Sequence, residues 1–180
     1  MDLETLKDVY YKRSQIIKYI KELDNGIYDL NIEEFLYAIS FLTPQSFGSK
    51  LQKFIQKRLS LTTIKPSLDM GDAVDSDGFY CEIKCSLIND TNKTINIVQI
   101  RPWHNIKYYF IGVFDVIDGC VTIFKLTKQQ MIDECVRLKA TSAHMTKKSI
   151  ENNKNVELRL GIPINSDVYQ QWVDLYRYNV

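Results

Sequence analysis

The sequence predicts an α/β domain, a mixed five-stranded sheet flanked by helices. Three observations carry this. Apolar residues recur at helical spacing through the first sixty positions. Short alternating or apolar runs, punctuated by turn residues, fill positions 62–126. Helical spacing then returns on either side of a polar, basic stretch at 137–159. Helices before and after such a sheet cover both its faces, giving a sandwiched architecture. A chain of 180 residues with 45% hydrophobic composition suits one core and a single domain over 1–180.

The elements follow in order. Leu3, Leu6, Val9, Tyr10, Ile16, Ile17, Ile20 and Leu23 mark a first helix that Asp24-Asn25-Gly26 stops. A second helix opens near Asn31 and runs to Phe41; Glu33 and Glu34 in its first turn complement the helix dipole, which is favoured over a role as extra metal ligands. Thr43-Pro44 starts a third, reaching Leu59, with Lys50, Lys53, Lys57 and Arg58 along one flank. A short strand at 62–65 precedes a bend at Pro66. Asp-Gly between alternating apolar residues predicts a hairpin turned at Ser76-Asp77-Gly78. Strands follow at 95–100, 108–117 and 120–126. Thr127 caps a helix to about Leu138, a strand returns at 156–162, and Ser166 or Asp167 caps a final helix packing Val168, Trp172 and Leu175.

The chemistry concentrates between Gly71 and Ser86. On the strand 79–87 alternation puts Glu82, Lys84 and Ser86 on one face and Cys81, Ile83 and Cys85 on the other. The hairpin fold-back brings Asp72 beside Glu82 and Lys84. Two carboxylates and the intervening Ile83 carbonyl are hard oxygen donors of the kind that hold Mg²⁺ while leaving positions for water and a phosphate oxygen. An ammonium at the same spot can orient a water and stabilise charge building on phosphorus. Taken alone, Glu-x-Lys on a strand more often marks a solvated face with a weak cross-strand ion pair. Asp69 and Asp75 compete with Asp72 for the first acidic position; Asp72 is preferred because it begins the hairpin strand.

This Asp-x9-Glu-x-Lys pattern, followed by Gln99-Ile100-Arg101-Pro102-Trp103-His104, resembles the PD-(D/E)XK nuclease superfamily and, within it, type II restriction endonucleases. Gly71-Asp72 stands where the family has proline-aspartate. The resemblance covers about 45–116. It implies a restriction-endonuclease-like core and a Mg²⁺-dependent, site-specific double-stranded DNA endonuclease, with Mn²⁺ able to substitute. Asp72 and Glu82 would hold the metal with the Ile83 carbonyl, Lys84 would position or activate water, and Gln99 would assist. Gln52, four residues after Gly48, stands where the family often has an acidic residue and becomes a possible accessory group. Arg101 or His104 would contact the nucleic-acid backbone. A palindromic target implies a homodimer, and a restriction-modification system implies a cognate DNA methyltransferase as genetic partner. Same-fold alternatives are a subunit of a heterodimeric restriction enzyme, a junction resolvase and an RNA endonuclease; a non-catalytic nucleic-acid-binding module is the alternative from another class. A His-Asn-His nuclease is disfavoured, since no histidine follows with a metal-binding spacing after His104-Asn105.

Composition bounds the rest. Lys and Arg number 23 against 22 Asp and Glu, so any basic cleft is local. The segment 137–159 carries six bases against two acids, and Lys139, His144, Lys147, Lys148 and Lys154 there join Lys50 and Lys53 as expected contacts to nucleic acid; the competing reading is a solvated excursion. The first residues lack a signal-peptide core, and no run approaches a membrane span. Cys81, Cys85, Cys120 and Cys135 show no metal or disulfide spacing, which points to reduced thiols in a cytoplasmic protein.

Overall fold

A computed structural model of the chain describes residues 2–65, 70–142 and 156–179. The main sheet has five strands, β1 (Thr62–Thr63), β2 (Ala73–Val74), β3 (Tyr80–Ile88), β5 (Tyr108–Asp115) and β6 (Cys120–Thr127), in the order β1-β2-β3-β5-β6. Only β3 and β5 run parallel, so the sheet is mixed. The strand β4 (Thr94–Ile100) is not part of it. It pairs instead with β8 (Leu158–Pro163), which also pairs with β7 (Thr141–Ser142), in a separate three-stranded sheet. Pairing between segments some sixty residues apart leaves no local sequence signal, which is why alternation alone could not assign β4 to a sheet.

The two faces of the main sheet carry two cores. Cys81, Ile83, Leu87, Phe110 and Phe114 face the helices α1 (Leu3–Leu23), α2 (Ile32–Ser40) and α3 (Pro44–Arg58) and join Ile20, Phe35, Ile39, Leu51 and Ile55. Tyr109, Ile111, Val113, Phe124 and Leu126 face the other way. They meet Ile95, Ile97, Leu160 and Ile162 of the small sheet, Met131 of α4 (Lys128–Arg137) and Trp172 of α5 (Asp167–Tyr176). Period-two alternation along β5 thus sends successive residues into different cores.

Local chemistry sets most boundaries as expected. Asn31 and Thr127 each complete a capping box, with Glu34 and Gln130 respectively, and the Ser166 hydroxyl accepts from the Tyr169 amide. Asp24, not Gly26, takes the positive φ that ends α1, and a 3-10 turn over Asp24–Asp29 follows. Gly112 in β5 lets α3 approach: a β-carbon there would lie 2.9 Å from Ile55 Cδ1. That close approach sets how α3 overlies the sheet. No helix among the described residues is long and apolar enough to cross a membrane.

Candidate active site

The site forms where β3 loses its neighbour. Register pairs Ala73 with Cys81, so Asp72, one residue before β2, stands opposite Glu82. Its amide donates to the Cys81 carbonyl at 2.8 Å, and its carboxylate Oδ2 accepts from the Ile83 amide at 2.9 Å. Along an extended strand the amide and carbonyl of one residue point to the same edge, so the Ile83 carbonyl faces the Asp72 side as well. Gly71 is required by this packing. A β-carbon on it would fall 2.2 Å from the Cys81 carbonyl oxygen, so neither alanine nor the proline of the family pattern fits.

Glu82 is 4% exposed and is held at both oxygens. Lys84 Nζ donates to Oε1 at 2.6 Å, and His104 Nδ1 lies 3.2 Å from Oε2. Alternation puts Glu82 and Lys84 on one face, as the sequence predicts, but that face is not solvated. The loop after β4 folds over it, and among its anchors Trp103 Nε1 donates to the Val156 carbonyl, Arg101 pairs with Glu157 at 2.7 Å, and Lys128 Nζ donates to the His104 carbonyl at 2.6 Å. Lower down the same face, the Ser86 hydroxyl accepts from the Asn96 amide and ties β3 to β4.

The electrostatics are those of a crowded anionic pair. Burial, followed by the neighbouring Glu82 charge, pushes the Asp72 carboxyl above its ordinary value against the opposing pull of the Ile83 amide, Lys84 and Gln52. Gln52 on α3 faces the Asp72 carboxyl across both hollows and pulls it down slightly, so this accessory residue does come near the first acid. Gln56, one turn further along α3, is buried; it contacts the Asp72 carbonyl at 3.5 Å and accepts from Thr63.

Two connected hollows open on the group. A cleft of about 890 Å³ runs between α3 and the 101–104 loop, with Ser49, Gln52, Lys53, Gln56 and Lys57 along its helical wall and Asp72, Glu82 and His104 deeper in. A recess of about 290 Å³ is lined by Asp72, Glu82, Lys84, Val98, Gln99 and Arg101. Gln99 reaches it through a bulge: the β4–β8 register shifts between Ile97 and Ile100, and Gln99 has φ 55°. A residue held in the left-handed region at a bulge is a recurrent way of aiming a side chain at a site.

Of the expected site residues, Asp72, Glu82, Lys84, Gln99 and the accessory Gln52 come together. Asp75 is not among them: its Oδ1 accepts from the Asp77 and Phe79 amides and builds the turn. His104, expected to contact the nucleic-acid backbone, lies deep in the cleft beside Glu82. It is 2% exposed, its Nδ1 is on Glu82, and its Nε2 has no partner among the described residues. Arg101 lines both hollows while paired with Glu157. Lys53 lines the cleft, bonded to Asn25 Oδ1 at 2.7 Å, whereas Lys50 does not line it. Lys139 is exposed in the left-handed turn after α4. Asp69, His144, Lys147, Lys148 and Lys154 lie outside the described residues. Sequence reasoning missed Gln56 as a cleft group; the spacing 49, 52, 53, 56, 57 is a polar helical stripe that could have revealed it.

The donor set fits a hard divalent cation. Among the described residues no three His, Cys, Asp or Glu side chains gather as a metal-binding group, so ligation would rest on the Asp72 and Glu82 carboxylates, the Ile83 carbonyl and water. Cys81 and Cys135 are buried packing groups, and burial drives the Cys81 thiol up to about 12; Cys120 is exposed, and all four are free of disulfides. Comparison with protein-family models and with curated proteins gave no match for this chain.

Proposed function

We propose that this protein is a metal-dependent endonuclease of PD-(D/E)XK type, cleaving phosphodiester bonds in double-stranded DNA, with Asp72 and Glu82 as carboxylate ligands and Lys84 as the water-positioning ammonium. The observation that carries the reading is the placement of Asp72 directly across from Glu82, with Lys84 Nζ 2.6 Å from the Glu82 carboxylate, at the floor of an open cleft. The raised Asp72 pKa supports it, because a carboxyl whose ionisation is opposed first by burial and then by the Glu82 charge is relieved by a cation.

A bound Mg²⁺ supplies a Lewis acid that neutralises charge on the scissile phosphate. The chain's own residues do the rest. Lys84 donates to the attacking water or to a phosphate oxygen, in a cavity where such a contact is worth far more than in bulk solvent. Gln99 lines the same recess and orients the water. The Ile83 amide holds the Asp72 carboxylate, which Gln52 faces, while His104 holds the second oxygen of Glu82, so neither carboxylate rotates freely. Lys53 and Lys57 along the cleft wall offer sequence-independent contacts to the phosphates flanking the cut.

The test is incubation of unmethylated plasmid and phage DNA with the protein and Mg²⁺, with and without chelator, beside Lys84→Ala. Discrete chelator-sensitive fragments, absent with the variant, are expected, and their ends would give the target. DNA left intact by the wild type at every metal concentration would overturn the reading.

A further inference from the structure

The helix α1 leaves the body of the protein. Its last turns are packed, with Ile20 buried and Ile16 and Ile17 half-buried, yet every residue from Asp2 to Gln15 is exposed. That exposed stretch is about 20 Å of helix, capped by the Asp2 carboxylate on the Thr5 amide at 2.8 Å. It is not polar. Leu3 is 65%, Leu6 52%, Val9 54% and Tyr10 68% exposed. The stripe that buries Leu23, Ile20 and Ile16 against the body continues outward through Val9 and Leu6 at steps of three and four, broken only by Arg13. A lone helix of this length is marginal in water, and its two i,i+4 ion pairs, Asp8–Lys12 and Lys18–Glu22, are well exposed.

We propose that α1 pairs antiparallel, across a two-fold axis, with α1 of a second copy of this chain. Charge selects that occupant and that direction. The outer half, residues 2–10, holds three acids and one lysine; the inner half, residues 11–23, holds four bases and one acid. Antiparallel pairing sets each acidic half on a basic half and aligns opposed helix dipoles, whereas parallel pairing sets like on like. The body supplies a matching receptor at the base of α1. Tyr19 and Tyr37, both more than half exposed, flank a groove of about 590 Å³ over Ile16, Ile20 and Phe41, with Glu33 and Glu34 on its rim. The partner's Leu3 and Leu6 fill this groove, and Lys7, one turn on from Leu3, arrives at the two glutamates. The patch is therefore self-complementary, as a two-fold interface requires.

The test is the mass of the full chain by light scattering and sedimentation over micromolar concentrations. The wild type is expected to be a dimer. Leu6→Glu with Val9→Glu should give a folded monomer, since both positions are exposed and circular dichroism should change little. Glu4→Lys/Asp8→Lys and Lys18→Glu/Lys21→Glu should each weaken the dimer by about tenfold or more, and mixing the two variants should restore it as a heterodimer. A wild-type monomer, a dimer indifferent to the Leu6/Val9 substitutions, or charge variants that leave dimerisation unchanged would each overturn the proposal.

Discussion

Two carboxylate clusters in the molecule behave in opposite ways. Glu134 on α4 is 6% exposed and saturated with donors: Arg137 gives a paired contact, Trp172 Nε1 donates at 2.7 Å, and the Tyr176 hydroxyl at 3.1 Å. Burial alone would raise its carboxyl, but these donors outweigh it and hold the group below its ordinary value. Glu82 is as buried but Asp72 is only half-buried; the two have fewer donors each, stand across from each other, and have beside them a histidine nitrogen without a partner among the described residues. The first cluster is a joint between α4 and α5, complete in itself. The second is incomplete in a way that a cation and a substrate would complete. Burial of charge does not distinguish structure from function; the balance of donors to charges does.

That contrast breaks most visibly in catalysis. Lys84→Ala should lower DNA cleavage by about 10²–10³-fold, the scale of losing one donor to developing negative charge, in an assay of initial rates under excess Mg²⁺. Glu134→Ala should do the reverse. It strands the Trp172 indole and Tyr176 hydroxyl and should cost about 1–3 kcal/mol in urea unfolding, while the cleavage rate per folded molecule stays near wild type.

Smaller effects sharpen the comparison through pH. Because the folded Asp72 pKa is raised, its contribution to stability is fullest below the ordinary carboxylate value and is lost as pH rises through the raised one. Asp72→Asn mimics the protonated form, so without divalent metal it should melt above the wild type at neutral pH, the gain shrinking toward pH 4. Glu134 has the opposite sign: its stabilisation is complete above the ordinary value and fades as pH falls below it, so Glu134→Gln should narrow its deficit in acid. Melting temperatures of both variants from pH 3 to 8 would separate the two, and slopes of the same sign would dissolve the contrast.

Much of this was legible in the sequence, and the reasons are physical. Alternation fixes that Glu82 and Lys84 share a face, and a two-strand hairpin fixes that Asp72 returns to them, because both are short-range geometry. Caps at Asn31, Thr127 and Ser166 are likewise local. What alternation cannot show is what covers a face. Nothing local in the sequence ties His104 to Glu82; it is buried there because β4 leaves the main sheet to pair with β8 and its loop is tied down by Val156 and Glu157, more than fifty residues away. Gly71 reads in sequence as a departure from a family pattern, and only the 2.2 Å approach to the Cys81 carbonyl explains why nothing larger serves. The basic stretch around 137–159 suggests nucleic-acid contacts from its composition alone, and its central lysines lie outside the described residues.

The most direct measurement is calorimetric titration of Mn²⁺ into the chelator-treated protein, its Asp72→Asn variant and its Glu134→Gln variant. Saturable binding to the wild type is expected, retained with Glu134→Gln and abolished with Asp72→Asn. No binding to the wild type, or binding untouched by Asp72→Asn, would contradict the assignment of Asp72 and Glu82 as the metal-holding pair.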